Sequence, residues 1–462
     1  MPEPSRRRAP LREGLRAMVE PVDIDTYLHD PQTYEEVILG IFTKRQQRGQ
    51  AFTETETDCG VTYFDTATKR KALARAIAHT VAAGDYQPKP VDLWFLESKG
   101  KIRAAHMPGF ADHIVGSALY KLLTHNAQSY GLPGVYSYLP GLTNATAMRA
   151  LAAFVREHRR RVGPAGPPVY VMQSDFDHYG DGLPVGPDAA VWPILREIAA
   201  LGSPNGHLSE NSWKLITALV RPVVMDADGA QFTRLNGVPM GTPVVPVLSN
   251  VAVLPMDRAI QEIEGIFYAR YNDDFLVAHP DLAMMHEADA RIDSVLGGLG
   301  VRRKLAKECR TALSATGMPS MEDPAYRGGN RIDCLGLSVS HAGAITVGPH
   351  RLRRFMGRFA ARIDGAAGAA RSLPVTERAA HLVSTANVMI DAASPFAVPG
   401  LSALLDTTTD RGVLKDLDFR IARKIIQAAT GRPGLKGFRL IPPRVLHTEM
   451  GLLSLVNMKN LR

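Results

Sequence analysis

The stretch IFYARYNDDFLVA, residues 266–278, decides the fold. An apolar run leads into Tyr271-Asn272-Asp273-Asp274, and a second apolar run, Phe275-Leu276-Val277-Ala278, leads away. Aromatic and aliphatic residues flanking an Asn-Asp pair predict a β-hairpin with carboxylates at its tip. Such pairs are common in ordinary turns, so the neighbourhood has to decide whether these two do chemistry.

Upstream, Val169 to Met172 reads as a short apolar strand running into Ser174-Asp175. Between the two carboxylate sites lies GVPMGTPVVPVLSNVAVLPMD, a Gly/Pro-rich loop that opens an apolar helix. One Asp at a strand end and an Asp pair at a hairpin tip is an economical way to hold two divalent ions. Phosphoryl transfer to a growing strand uses such ions about 3.5–4 Å apart, one at the attacking hydroxyl and one at the leaving pyrophosphate. Mg²⁺ takes few carboxylates and keeps several waters. Taken alone, residues 237–250 could be a Pro-rich turn capping a buried helix. The order of all these segments is what that plainer reading leaves unexplained.

Around this centre the chain reads as mixed helix and strand. Residues 1–90 suggest helical material after a disordered, basic beginning. VDLWFLESKGKIRAAHM, 91–107, has two apolar runs around Ser98-Lys99-Gly100-Lys101 and reads as a hairpin. A helix follows, with Ile114, Ala118 and Leu122 on one face. A basic helix from Arg149 to Val162 ends at GPAGPP, and a hairpin is expected around Asp226–Gly229. Beyond Arg351 the chain turns helical, with Arg351, Arg354, Arg358 and Arg362 beside an apolar stripe of Leu352, Phe355, Phe359 and Ile363. The plain reading is a solvated face above a packed one; the sharper reading is a helix that tracks phosphates.

The 462 residues are 45% hydrophobic and 22% charged, as in a globular protein of several lobes, and the net charge is +8. A basic surface favours polyanions through counterion release. Cys59, Cys309 and Cys334 are too few and too scattered for a disulfide framework or a zinc site, which points to a reducing compartment. The basic start (Arg6, Arg7, Arg8, Arg12, Arg16) has no apolar segment of a signal peptide after it, and no apolar run is of membrane-spanning length. A cytoplasmic location without membrane attachment is the resulting expectation.

From about residue 90 to 365 the chain resembles a reverse transcriptase. The resemblance rests on Asp175 after its strand, on the YxDD-like Tyr271-Asn272-Asp273-Asp274, and on Gly237 to Asn250, which is similar to the family's PQG loop and Ser-Pro-Leu-Leu-Asn run. KLAKEC at 304–309 and CLGLSV at 334–339 resemble the family's triphosphate-side lysine and its hairpin at the primer end. It implies an α+β right-hand polymerase: an N-terminal extension (1–89), fingers (90–168), an antiparallel-sheet palm (169–345), and a helical thumb with C-terminal region (346–462).

It also implies roles. Asp175, Asp273 and Asp274 would hold two Mg²⁺ ions, or Mn²⁺ in their place, with the Phe176 carbonyl as a further ligand. Lys307 would be the general acid for pyrophosphate, while Lys101, Arg103, Phe176, Tyr179, Gly180, Met240 and Gly241 would surround the incoming dNTP. Tyr271, Gly336, Arg351, Arg354 and Arg358 would contact nucleic acid. Asp177 reads as structural, and His178 is given no catalytic role.

Three positions depart from the pattern. Met240 replaces the loop's Gln, Gly180 stands where an aromatic side chain excludes the ribose 2′-hydroxyl, and Leu139 replaces an Arg in YSYLPGLTN. These changes are similar to those of divergent bacterial reverse transcriptases tied to phage defence, which are related to retron and group II intron enzymes. Some of that group copy a non-coding RNA; others make DNA with little or no template. The expected function is an RNA-directed DNA polymerase in antiviral defence, with template or non-coding RNA, DNA product and dNTPs as partners. A partner protein or homo-oligomer is left open. The alternatives are a template-independent or protein-guided nucleotidyltransferase making simple-sequence DNA, and a catalytically silent RNA-binding scaffold. Three clustered carboxylates that repel one another argue against the scaffold.

Overall fold

Residues 19–47, 56–98, 100–433 and 435–460 are described by the computed structural model. The basic start at 1–18, expected to be disordered, lies outside them. The chain divides into two units: Met1–Thr143 with Met172–Cys309, and Asn144–Val171 with Arg310–Arg462.

In the first unit the early helices Ile24–His29, Pro31–Gln47, Tyr63–Thr68 and Arg70–Ala82 confirm a helical start. The first two pack on the long helix Phe110–Tyr130, whose fully buried Asn126 exchanges 2.9 Å hydrogen bonds with both backbone groups of Val22. A buried amide must be satisfied in this way, and here doing so pins the N-terminal helices to the unit.

The hairpin expected at 91–107 forms as strands β1 (Val91–Ser98) and β2 (Lys101–Met107), turning through Gly100. Strand β3 (Val169–Asp175) runs three residues further than the apolar stretch Val169 to Met172 suggested and carries Asp175 as its last residue. The short hairpin β4 (Val223–Met225) and β5 (Gln231–Thr233) pairs with β1, giving the order β2-β1-β4-β5 with β1 and β4 parallel. Strands β6 (Phe267–Tyr271) and β7 (Asp274–His279) are the deciding hairpin, antiparallel with Tyr271 opposite Asp274. The C-terminal part of β3 lies beside β7. All three strands are buried along most of their length, which explains their near-continuous apolar sequence.

The apolar helix expected after the Gly/Pro-rich loop is two helices, Val245–Val251 and Leu254–Gln261. Pro255, in the first turn of the second, has no N–H to give to Val251, so the ladder breaks there. The helix Leu282–Leu299 packs on the second of them and on β7; Asp281 caps its start and left-handed Gly300 ends it.

In the second unit the basic helix is Asn144–Val162. Its Arg159 is buried and donates to the carbonyls of Gly166, Pro167, Leu313 and His341 at 2.8–3.1 Å, so that charge serves the fold. The unit holds the start of β3, then β8 (Cys309–Leu313), β9 (Arg327–Gly329), β10 (Arg331–Cys334), β11 (Leu337–Ser340) and β12 (Ile345–Val347), the last three an antiparallel sheet. Leu335 and Gly336 turn the β10–β11 hairpin with φ of 51° and 74°. Two positive φ angles suit the twist of a two-residue hairpin turn, and Gly336 meets that demand without strain. The helices Pro349–Ala369, Val375–Ile390 and Arg411–Thr430 pack together, burying Phe355, Phe359 and Ile363 at four-residue spacing as the stripe predicted. Among the described residues no helix is long and apolar enough to cross a membrane.

Candidate active site

The site assembles where β3 ends. Asp175 is 5% exposed. One carboxylate oxygen receives the Lys307 ammonium, and the other is buried and receives no donor among the described residues. The backbone N–H of Phe176 donates to the Asp273 carbonyl at 3.2 Å, which draws the β6–β7 turn onto the end of β3. The carboxyls of Asp175 and Asp273 thereby come within hydrogen-bonding reach.

The turn itself is tight. Only Asn272 and Asp273 separate the closing pair, and Asn272 takes φ +60°. Asn tolerates the left-handed region better than most side chains, because its short amide can bond locally. Here it meets the hydroxyl of Tyr138, itself held at φ +57°.

Crowding of negative charge shows in the acidities. Burial, followed by the charge of Asp175, raises Asp273 above the ordinary aspartate range. Loss of water around the Asp274 carboxyl, with Asp273 and Asp175 nearby, pushes it up to about 6. Lys307 moves the other way in effect: its bond to Asp175 keeps the ammonium protonated to higher pH. A short 3₁₀ turn, Leu305–Lys307, presents this lysine, and the Lys304 N–H donates to the Asp175 carbonyl at 2.7 Å. With its side chain 58% exposed, Lys307 can leave Asp175 for another anion.

Among the described residues no three His, Cys, Asp or Glu side chains close on one point as a metal cage would. Mg²⁺ asks for less: one or two carboxylates, with waters and substrate phosphates completing the octahedron. Asp175 and Asp273, with one buried oxygen lacking a donor, fit that requirement, and Asp274 adds charge at the rim.

Beside the carboxylates, Gly180 faces Met240: a Cβ on Gly180 would stand 3.6 Å from the Met240 sulfur. Met240 is 42% exposed, whereas Tyr179 is 8% exposed. The Tyr179 ring lies against Phe176, and its hydroxyl donates to the Ser249 carbonyl. Tyr179, a candidate to shield the ribose, is therefore spent on the core, because its apolar ring and its hydroxyl both find partners there. Phe176 is likewise a core side chain, stacked between Tyr179 and Phe275. The loop carrying Met240 is tied to β2, since the His106 N–H donates to the Met240 carbonyl at 2.6 Å. Arg103 is exposed on that strand, and the side chain of Lys101 lies outside the described residues.

Asp177 lies beyond the strand end, 3.7 Å from Lys304, in keeping with a structural part; His178 is exposed in a left-handed conformation. Tyr271 is partly exposed beside the turn. Gly336, Arg351, Arg354 and Arg358 belong to the second unit. There the Arg351 guanidinium packs on Gly336, Arg354 is exposed, and Arg358 lies 3.5 Å from the Pro399 carbonyl. Leu139, in place of the expected Arg, is buried.

Sequence reasoning missed Arg270, Asp257 and Tyr138. Arg270 and Asp257 are fully buried and pair at 2.6 Å, with the Asp257 charge holding the arginine protonated against the opposing effect of burial. The signal was present: a charged residue inside an otherwise apolar strand needs a buried partner.

No model of a known protein family matches the sequence, and neither does any curated protein. Among solved structures the chain is similar to apo telomerase from Candida tropicalis truncated from its C-terminal domain, at 10% identity and TM-score 0.43, covering 56% of each chain. It is also similar to telomerase from Candida albicans in complex with a TWJ fragment of telomeric RNA, at 11% identity and TM-score 0.44, covering 80% of this chain and 67% of that one. The chain thus spans little more than half the length of the first. Scores this low establish no shared fold, and the functional reading rests on the geometry above.

Proposed function

We propose that the protein is a reverse transcriptase: an RNA-directed DNA polymerase that joins deoxynucleotides by metal-assisted phosphoryl transfer. The observation that carries this reading is the meeting of Asp175, at the end of β3, with Asp273, in the β6–β7 turn, beside an exposed lysine. Two Mg²⁺ ions, when bound, would supply the activated hydroxyl and neutralise the pyrophosphate. Asp175 and Asp273 would hold them, and Asp274 would lend charge without closing the site. Lys307, protonated and exposed, would exchange Asp175 for the triphosphate and deliver a proton to the departing pyrophosphate. Gly180 and Met240 would floor the sugar and base of the incoming nucleotide. Arg103 would reach its phosphates, and the second unit's Arg351, Arg354 and Arg358 would contact the nucleic-acid backbone, where contacts set position and not sequence. A role in bacterial antiviral defence rests on the family resemblance alone.

The Gly180–Met240 floor also supports a second reading, synthesis without a template, because neither residue offers a polar contact to a templating strand. Sequencing the DNA made by the purified protein, before and after removal of copurified RNA, separates the two. A heterogeneous product that vanishes with the RNA supports templated copying. A simple repeat that survives RNA removal supports the second reading, and no product under any condition counts against both.

A further inference from the structure

Arg270 is the largest fully buried side chain among the described residues, and it lies one residue before the Tyr271–Asp274 turn. Its five N–H groups are all used. Nε and Nη2 grip the two oxygens of Asp257 at 2.8 and 2.6 Å. Nη2 also donates to the Asn250 carbonyl at 2.9 Å, while Nη1 reaches the carbonyls of Ser249 at 3.5 Å and Asn272 at 3.2 Å. Asn272 is the left-handed residue of the carboxylate turn, and Ser249 and Asn250 lie in the helix Val245–Val251. The backbone of Arg270 adds two further ties, N–H to the Gly134 carbonyl at 2.7 Å and carbonyl to the Tyr136 N–H at 2.8 Å. Ser137 in turn exchanges hydrogen bonds of 2.9 Å with the Asn250 side chain.

We propose that Arg270 is a positioning residue: its guanidinium fixes the carboxylate turn to the helix behind the Gly237–Gly241 loop, and so sets where Asp273 stands relative to Asp175. An ion pair with Asp257 alone would need only one end of the guanidinium. The other end is aimed at the Asn272 carbonyl, the peptide group that determines where Asp273 points. Asp257 neutralises the far end of the fork, where an amide oxygen could still accept one of its hydrogen bonds while the Asn250 and Asn272 carbonyls hold the rest, and Tyr268 completes Asp257 with a 2.5 Å bond from its hydroxyl. Lysine could keep the charge and the contact with Asp257, but one ammonium cannot span Asn250 and Asn272 as well.

The proposal rests on the polymerase reading, and the experiment separates the two. Arg270→Lys and Asp257→Asn are made in the full chain, and each is compared with wild type for melting temperature, kcat and KM for dNTP, and the Mg²⁺ concentration giving half-maximal rate. A purely structural pair predicts that activity falls in step with stability in both variants. The positioning role predicts that Arg270→Lys loses about 10- to 100-fold in kcat at temperatures where it is folded, with KM within about threefold and a higher Mg²⁺ requirement. Asp257→Asn, which leaves the fork on Asn272, would melt earlier yet keep kcat and the Mg²⁺ requirement within about threefold. Unchanged kcat and Mg²⁺ requirement in folded Arg270→Lys would overturn the role, as would failure of that variant to fold. Should wild type incorporate no nucleotide, the polymerase reading falls. The Mg²⁺-induced rise in melting temperature then decides on Arg270: it shrinks in Arg270→Lys but not in Asp257→Asn if the role is real, and changes equally in both if it is not.

Discussion

Asp274 shows what gathering carboxylates at the turn costs the protein. Its acidity moves from the ordinary 3.8 to about 6 in the folded chain. A group whose folded pKa lies above its unfolded one binds more protons when folded, so its stabilising effect is complete below the unfolded value and is lost as pH rises to the folded one. Stability of the metal-free protein should therefore decline between about pH 4 and pH 6 from this residue. Asp274→Asn should match wild type near the acid end of that window and melt higher, by on the order of 2 °C, above it. Mg²⁺ should narrow the gap by stabilising wild type. A variant that melts no higher than wild type at neutral pH would show that the carboxyl is not crowded. Gly180 makes a different demand. If Gly180 faces the sugar as proposed, ribonucleotides should be accepted, and Gly180→Phe should cut their incorporation at least about tenfold more than that of deoxynucleotides. Equal loss for both would mean that the position does not face the sugar. The carboxylates were legible because charge at a strand end and at a turn stands out against apolar runs. Arg270 was legible only as a charge in an apolar strand that needs a partner; which partner it takes, Asp257 thirteen residues earlier on another element, was not.

Among the elements, the Gly237–Gly241 loop carries Met240 and is tied to β2 through the His106 N–H. Gly241 sits at φ +112°, and a Cβ there would come within 2.5 Å of the His106 carbonyl. That contact is with backbone, which cannot step aside, and the conformation is one L side chains avoid. Gly241→Ala should cost on the order of 1–3 kcal/mol of stability and should lower nucleotide affinity by moving Met240. Chemical denaturation with a KM measurement checks both; an undisturbed KM would detach the loop from the substrate. Hairpins and helices here were largely readable from apolar runs and turn residues, as at 91–107, 266–278 and the helix beyond Arg351. The break into Val245–Val251 and Leu254–Gln261 was readable in principle from Pro255, but a continuous apolar sequence masked it. The β1–β4 parallel pairing was not readable, since it joins segments more than 120 residues apart that share no local pattern.

For the whole molecule, composition indicated a basic globular protein, and the two units each have their own core. What sequence could not convey is that each unit is built from two separated stretches of chain, because contact between distant segments leaves no trace in a single sequence. Arg354 and Arg358 are exposed on Pro349–Ala369, and the proposed function has them contact phosphates. Replacing Arg354 and Arg358 with Gln should weaken RNA binding and reduce the slope of log affinity against log salt by about 1–2, since each phosphate contact releases counterions. An unchanged slope would remove this helix from the nucleic-acid surface.

The proposed function makes Asp175 and Asp273 one metal-dependent nucleotidyl-transfer centre. Incorporation of labelled dNTPs by purified wild type and by Asp273→Asn, with Mg²⁺ and at matched folded fraction, tests it most directly. Wild type should incorporate nucleotide, and the variant should lose about 10³-fold or more while melting at an equal or higher temperature, because a crowded charge is gone. Incorporation by Asp273→Asn at the wild-type rate would contradict it.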